Sequence, residues 1–273
     1  MRQERRSDGN VPRGGGFVPA MALPRETVTL PSRGWRIDPR KALAVSALCW
    51  TGFAVMVVLV TRGDVRGFDE TGLLFWRYGQ GLEPRGPEWL LEGVRDVTAL
   101  GGVLLRNLIA LGAVVALLFL RLRREAVLMA LTVAGAWLVG SGIKLLVGRD
   151  RPEIVPHLTE AGGASFPSGH AFNSAVVYIA IALAFATMSS RQSVRFTVIG
   201  TAVVLSLAIA WSRVWLGVHF PSDVAAGWLG GAGWAFLAAA LLQRPAERTA
   251  EAAEPQLERI TPAHGKRTQA RRR

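Results

Sequence analysis

The chain has 273 residues, half of them hydrophobic, with a formal net charge of +12 and a mean hydropathy of +0.28. A soluble domain of this length needs far less apolar sequence, and here the apolar residues come in blocks of about 20, the length of a bilayer-spanning helix. The positive charge lies mostly in the two ends and in short loops between apolar blocks, which is a membrane-topology pattern and speaks against nucleic acid as a partner. The one cysteine, Cys49, rules out an intramolecular disulfide and a four-cysteine metal site.

Residues 1–40 are rich in Arg, Gly and Pro without periodicity, and read as a disordered basic tail. Phe17 to Leu23 is too short and interrupted for a signal peptide, so the first apolar block, Ala42 to Val60, reads as an uncleaved anchor. The mixed segment Gly63 to Thr98 follows. Its pieces Glu70–Tyr78 and Glu88–Val97 read either as short interfacial helices, with Trp76 and Trp89 at headgroup level, or as an ordinary connecting loop.

Five further apolar blocks run Leu100–Leu120, Ala126–Val147, Ala171–Met188, Phe196–Trp211 and Val224–Leu242. Glycines within them (Gly135, Gly140 and Gly142; Gly227, Gly230, Gly231 and Gly233) suit close helix contact in a membrane. The expected fold is all-α: an integral membrane bundle of six transmembrane helices over residues 41–243, followed by a charged, disordered tail at 244–273. Six spans put both ends on one side, and 22 of the 32 Lys and Arg residues then share that side, which the positive-inside rule assigns to the cytoplasm.

This topology places three polar clusters on the opposite, non-cytoplasmic face. The first is Lys144 to Pro152, after the third span. Lys144 and Arg151 are seven residues apart, and Pro152 disfavours helix at Arg151, so the helix is expected to end near Gly148 with Arg151 folding back. The second is Phe166-Pro167-Ser168-Gly169-His170, which opens the fourth span. Its unpaired N–H groups and positive dipole end form an anion site. Gly169 allows close approach there, and the Ser168 hydroxyl adds a donor. The third runs from Ser212-Arg213 to His219 and Asp223 and links the fifth and sixth spans. His219 and Asp223, four apart across a helix start, can pair so that the carboxylate fixes the imidazole tautomer.

Taken singly, each feature has a structural use. Lys144 could snorkel, Arg213 could anchor a span beside Trp211 and Trp215, Pro-Ser-Gly could simply cap a helix, and His219 could be a satisfied core pair. Their convergence on one face points instead to a site for phosphoryl chemistry. Lys144, Arg151 and Arg213 match the roughly two negative charges of a phosphate. His219, with its carboxylate, suits attack on phosphorus. His170, with no carboxylate in its motif and at a dipole end, suits proton donation to the leaving alkoxide. No cluster of Asp, Glu or His supplies a metal site, so neither metal nor other cofactor is expected.

The segments Lys144 to Arg151-Pro152, Pro167-Ser168-Gly169-His170 and Ser212-Arg213 to His219 and Asp223 together resemble the three-part signature of the type 2 phosphatidic acid phosphatase superfamily. The resemblance covers about Ala42 to Leu242. It implies a six-helix core and a metal-independent membrane phosphatase with its site open to the periplasm or exterior. It also implies phosphate binding by Lys144, Arg151, Ser168, Gly169 and Arg213, with His170 as acid, His219 as nucleophile and Asp223 as its partner. Vanadium haloperoxidases share the signature but are soluble, and six spans argue against that branch. The expected substrate is a lipid phosphate or diphosphate, of the undecaprenyl diphosphate, phosphatidylglycerol phosphate, phosphatidic acid or lipid A phosphate type. A phosphotransferase using the same intermediate is an alternative, as is a non-catalytic lipid binder or transporter. Transporters, however, place ionisable residues near the bilayer midplane, not at span ends.

Overall fold

The structure is a computed structural model that describes residues 38–189 and 191–260, with backbone alone for 242–260. The tails expected at 1–40 and 244–273 therefore fall largely outside the described residues. Eight helices make up the described chain: α1 Pro39–Arg62, α2 Arg66–Leu74, α3 Glu88–Leu100, α4 Val103–Phe119, α5 Arg123–Val147, α6 Gly169–Ala186, α7 Gln192–Trp215 and α8 Pro221–Ile260. A two-residue hairpin, β1 Arg77–Tyr78 and β2 Glu83–Pro84, sits between α2 and α3 with Arg77 opposite Pro84.

Five helices (α1, α5, α6, α7 and Pro221–Leu241 of α8) are each long and apolar enough to cross a membrane. The bent pair α3 and α4, which meet at 48° across Gly101-Gly102, is together long and apolar enough for a sixth. The sequence leads one to expect a span over Leu100–Leu120. The observed α4 is instead 17 residues, at the short limit for a span, and the glycine pair redirects the chain before it. With its large outward-facing apolar side chains, among them Leu48, Leu104, Leu131, Leu146 and Phe196, this is a multi-pass membrane protein whose outer solvent is hydrocarbon.

α6 and α8 form the buried centre, with α5 and α7 flanking α6 and α1 lying along α8. Small residues on α8 make this possible. A Cβ on Gly227 would lie 2.7 Å from the Ser168 carbonyl oxygen, and one on Gly231 only 2.1 Å from that of Phe172. Gly230 meets Phe172 and Phe53, while Gly233 meets Trp50 of α1. Gly135 receives Trp234, whose indole N–H donates to the Thr132 carbonyl at 2.9 Å. Hydrocarbon supplies no hydrophobic drive between helices, so close backbone approach and dispersion carry the association. Gly142 departs from this expectation: among the described residues, nothing beyond its own stretch of helix lies within 4 Å of where its Cβ would be.

Both pieces expected as short helices in the segment after α1 are helical, as α2 and as α3, the first arm of the bent pair. α2 begins four residues earlier than the expected Glu70 start and ends at Leu74, because Asp69 and Leu73, one turn apart, turn inward and are buried. Trp89 is 72% exposed, as an interfacial residue would be, whereas Trp76 packs edge-to-face on Trp211 with centroids 5.3 Å apart.

The α6–α8 contact yields a direct test. Gly231→Ala places a methyl against backbone, which cannot yield as a side-chain tip can, so it is expected to cost about 1–3 kcal/mol. Gly142→Ala has open space and is expected to be neutral or stabilising. Thermal midpoints of the two variants in detergent would check this, and equal midpoints would contradict the packing account.

Candidate active site

The three polar clusters come together where α5 and α7 end and α6 and α8 begin. α5 stops at Gly148, which takes the left-handed conformation (φ +60°) and returns its N–H to the Lys144 carbonyl at 3.0 Å. The chain then folds back as expected, and the Ser165 N–H closes the loop on the Arg149 carbonyl at 2.7 Å. Ser168 caps α6: its hydroxyl accepts from the Ala171 N–H at 3.5 Å and its carbonyl from the Phe172 N–H at 2.9 Å. The N–H groups of Gly169 and His170 precede the first intrahelical bond and point out of the helix start.

The connection from α7 to α8 carries His219. Gly217, at φ +77°, makes the turn. A Cβ there would lie 2.8 Å from the Pro156 carbonyl oxygen and 2.7 Å from Arg77 Nη2, so only glycine fits. Arg77 Nη1 donates to the Trp215 carbonyl at 2.9 Å and the Leu158 N–H to that of Leu216 at 3.0 Å, which fixes the loop from two sides.

His219 is 2% exposed. Its Nε2 lies 3.1 Å from Arg151 Nη1. A guanidinium can only donate, so Nε2 is the accepting nitrogen and Nδ1 carries the hydrogen. Nδ1 faces Asp223 Oδ2 at 3.5 Å and Ser165 Oγ at 3.3 Å. The imidazole–carboxylate contact is looser than the direct pair the spacing suggests, and the Ser165 hydroxyl sits beside it, making a short hydrogen bond to the same carboxylate oxygen. Burial pushes the His219 ring from its ordinary 6.5 down to about 4, against the pull of Asp223 toward the charged form. At neutral pH the ring is therefore uncharged, with its Nε2 lone pair among cations.

Those cations are where the sequence places them. Arg151 spends its fork on the carbonyls of Gly163 (3.0 Å), Gly162 (2.8 Å) and Val218 (2.7 Å), in addition to His219. Burial pulls its pKa below the usual guanidinium range. Lys144 donates to the Ala164 carbonyl at 2.7 Å, and its Cε is 3.7 Å from where a Cβ on Gly169 would stand. Arg213 is 3% exposed and donates to the Thr98 hydroxyl at 3.0 Å, while its Nε has no partner. His170, on the first turn of α6, lies against the α3–α4 break: a Cβ on Gly101 would stand 3.1 Å from its Cδ2. Among the described residues no group of three or more His, Cys, Asp or Glu side chains could hold a metal ion.

Sequence reasoning misses the support behind Asp223. Arg149 donates through Nη1 to Asp223 Oδ1 and to Ser222 Oγ, and through Nη2 to Asp69 Oδ2, each at 2.7 Å. Asp69, on α2 and 1% exposed, also accepts from the Ser222 N–H at 2.9 Å and hydroxyl at 2.6 Å. The Phe220 N–H adds a bond to Asp223 Oδ2 at 3.0 Å, and the Phe220 ring lies 4.2 Å beneath the Arg149 guanidinium. Nothing local distinguishes Arg149 from Arg151, two residues on, as the one turned toward Asp223. Asp69 is a single acid in an amphipathic segment, with no motif around it.

The family model of the PAP2 superfamily matches residues 125–246, which span α5 to the membrane part of α8 and contain all three clusters. Phosphatidylglycerophosphatase B of Bacillus subtilis (strain 168) is 34% identical over 145 residues, covering 51% of this chain and 68% of that protein. A lipid A 1-phosphatase of Rhizobium etli is 32% identical over 120 residues, covering 41% of this chain and 47% of that one. The crystal structure of a transmembrane PAP2 type phosphatidylglycerolphosphate phosphatase from Bacillus subtilis superposes with a TM-score of 0.66 at 26% identity, covering 73% of this chain and 96% of that chain. In sequence and fold, the chain belongs to the PAP2 superfamily, the type 2 phosphatidic acid phosphatases.

Proposed function

We propose that this protein is a membrane lipid phosphatase that hydrolyses a lipid phosphate or diphosphate through a covalent phosphohistidine on His219. The observation that carries this reading is the buried, uncharged His219 ring, with its accepting Nε2 held at Arg151. The related proteins whose names give them activity on phosphatidylglycerophosphate or lipid A phosphate support a lipid as the substrate.

The phosphate replaces backbone carbonyls as the partner of Arg151 and Lys144, and reaches Arg213 and the Gly169 and His170 N–H groups at the start of α6. The Ser168 hydroxyl, which accepts the capping bond, keeps its hydrogen for an oxyanion. His219 Nε2 attacks phosphorus. The bond to the leaving oxygen breaks with its electron pair, and that oxygen takes a proton from His170, which enters the step as an imidazolium held by the negative charge of the bound phosphate. Asp223, braced by Ser165, Arg149 and the Phe220 N–H, stabilises the positive charge on the His219 ring as it forms. Water then attacks phosphorus and gives a proton back to His170, and the P–N bond breaks to restore His219. The net reaction consumes one water and releases a lipid alcohol or lipid monophosphate together with inorganic phosphate.

The leaving group separates the two histidines. His219→Ala is expected to abolish turnover and the acid-labile phosphoenzyme on every substrate. His170→Ala is expected to lose about 10²–10⁴-fold on an alkyl phosphate and to regain most of it on an activated aryl phosphate, which needs little protonation. Rescue of His219→Ala in place of His170→Ala would reverse the assignment, and full activity in both would sink the phosphohistidine.

The ionisation of His219 is checked separately, by imidazole ¹⁵N titration of the purified protein with His219→Gln to assign the resonance. The ring is expected to stay neutral as pH falls to about 4 and to take up its proton there. A midpoint near the ordinary 6.5 would contradict a buried, free-base nucleophile.

We also propose that the site faces the non-cytoplasmic side of the plasma membrane with both ends of the chain cytoplasmic, a reading supported by the Lys and Arg distribution. In a Cys49→Ala background, Glu160→Cys in the exposed loop before α6 is expected to react with a membrane-impermeant thiol reagent in intact cells or spheroplasts. Arg121→Cys, exposed between α4 and α5, is expected to react only after lysis. The opposite pattern would invert the orientation.

A further inference from the structure

Arg106, on the first turn of α4, is 6% exposed and has no carboxylate against it among the described residues. Its Nη1 donates to the Gly101 carbonyl at 3.0 Å, its Nη2 reaches Asn107 Oδ1 at 3.5 Å, and its Nε has no partner among the described residues. A carbonyl and an amide oxygen satisfy hydrogens without neutralising charge, and an uncompensated cation in a membrane interior is costly enough that such residues usually serve a ligand.

Its position says which ligand. Gly101, whose carbonyl takes the guanidinium, also faces His170, whose Cδ2 a Cβ there would meet at 3.1 Å, so the cation and the proton donor flank the same glycine. The hydroxyl of Tyr178, on α6, caps the Leu100 carbonyl of the same break at 2.7 Å. Lys144, Arg151 and Arg213 already match the roughly two negative charges of the transferred phosphate. A fourth cation beside the group that protonates the leaving oxygen lies on the leaving-group side of the reaction.

We infer that Arg106 forms a subsite for a second anionic phosphate carried by the leaving group, so that the preferred substrate is a lipid diphosphate or a lipid phosphate whose headgroup also contains a phosphodiester. This rests on the phosphatase reading above and narrows its substrate class. A lipid monophosphate with a neutral leaving group, such as phosphatidic acid, leaves Arg106 uncompensated and is the poorer substrate.

The test measures kcat/KM of purified full-length wild type and Arg106→Gln on phosphatidic acid, a prenyl diphosphate and phosphatidylglycerol phosphate. A charge-assisted hydrogen bond at a buried site is worth roughly tenfold or more in such a ratio. Arg106→Gln is expected to lose about tenfold more on at least one of the two doubly anionic lipids than on phosphatidic acid, and which of the two suffers identifies the source of the second phosphate. Arg106→Lys is expected to fall between. An equal loss on all three lipids would make Arg106 a brace of the α3–α4 break and overturn the inference. Should Arg106→Gln fail to fold, inhibition of the wild type decides: methylenediphosphonate is expected to compete about tenfold more tightly than inorganic phosphate, and equal competition would overturn the proposal. Wild type that releases phosphate from none of the three lipids would instead refute the phosphatase reading itself.

Discussion

The carboxylate of Asp223 is the point on which the site depends. It lies in the first turn of α8, fully buried, and is reached by Arg149 from the end of α5, Ser165 from the loop before α6, the Phe220 N–H from its own helix start and the His219 ring from the α7–α8 connection. Its backbone carbonyl takes the Ser168 N–H at 3.0 Å, so the residue that orients the imidazole also seats the start of α6. A buried carboxylate would be prohibitive in hydrocarbon without such partners. Removing Arg149 leaves that charge uncompensated, and removing Ser165 leaves one of its oxygens short of a hydrogen bond. The ion-paired chain Asp69–Arg149–Asp223 extends that dependence to α2, eighty residues from Arg149, and so ties that helix to the position of His219.

The glycines of α8 serve the same end. Gly227 and Gly231 let α6 approach until Ser168 and Phe172 backbone atoms touch α8, and this approach carries His170 and the α6 dipole end to the side of the α8 start that holds Asp223. The bend at Gly101-Gly102 works from the other flank. A straight span would satisfy its own carbonyls. The broken one offers Leu100 O to Tyr178 and Gly101 O to Arg106, and places Thr98 where it holds Arg213. Helix breaks in a membrane persist only where other groups take up the exposed backbone, and here the groups that do so belong to the site or adjoin it.

What the sequence alone determined is what local chemistry controls. Block length in the apolar segments set the spans. Gly148 and Pro152 marked where α5 ends, and Ser168 marked the α6 cap. The order Lys144, Arg151, Ser168, His170, Arg213, His219, Asp223 defined the cluster, because each of these features depends on residues within a turn or two. Tertiary structure decided the rest. Arg149 and Asp69 are eighty residues apart and Thr98 and Arg213 are 115 apart, and no spacing rule links such pairs. The alternation of Arg149 and Arg151 between two jobs follows from which way the chain leaves Gly148, with Arg149 turning to Asp223 and Arg151 to the His219 loop. The looseness of the His219–Asp223 contact, the bend before α4 and the placing of Arg106 beside His170 likewise arise only when the helices pack. A buried charge acquires its partner from whatever the fold brings against it, not from its neighbours in the chain.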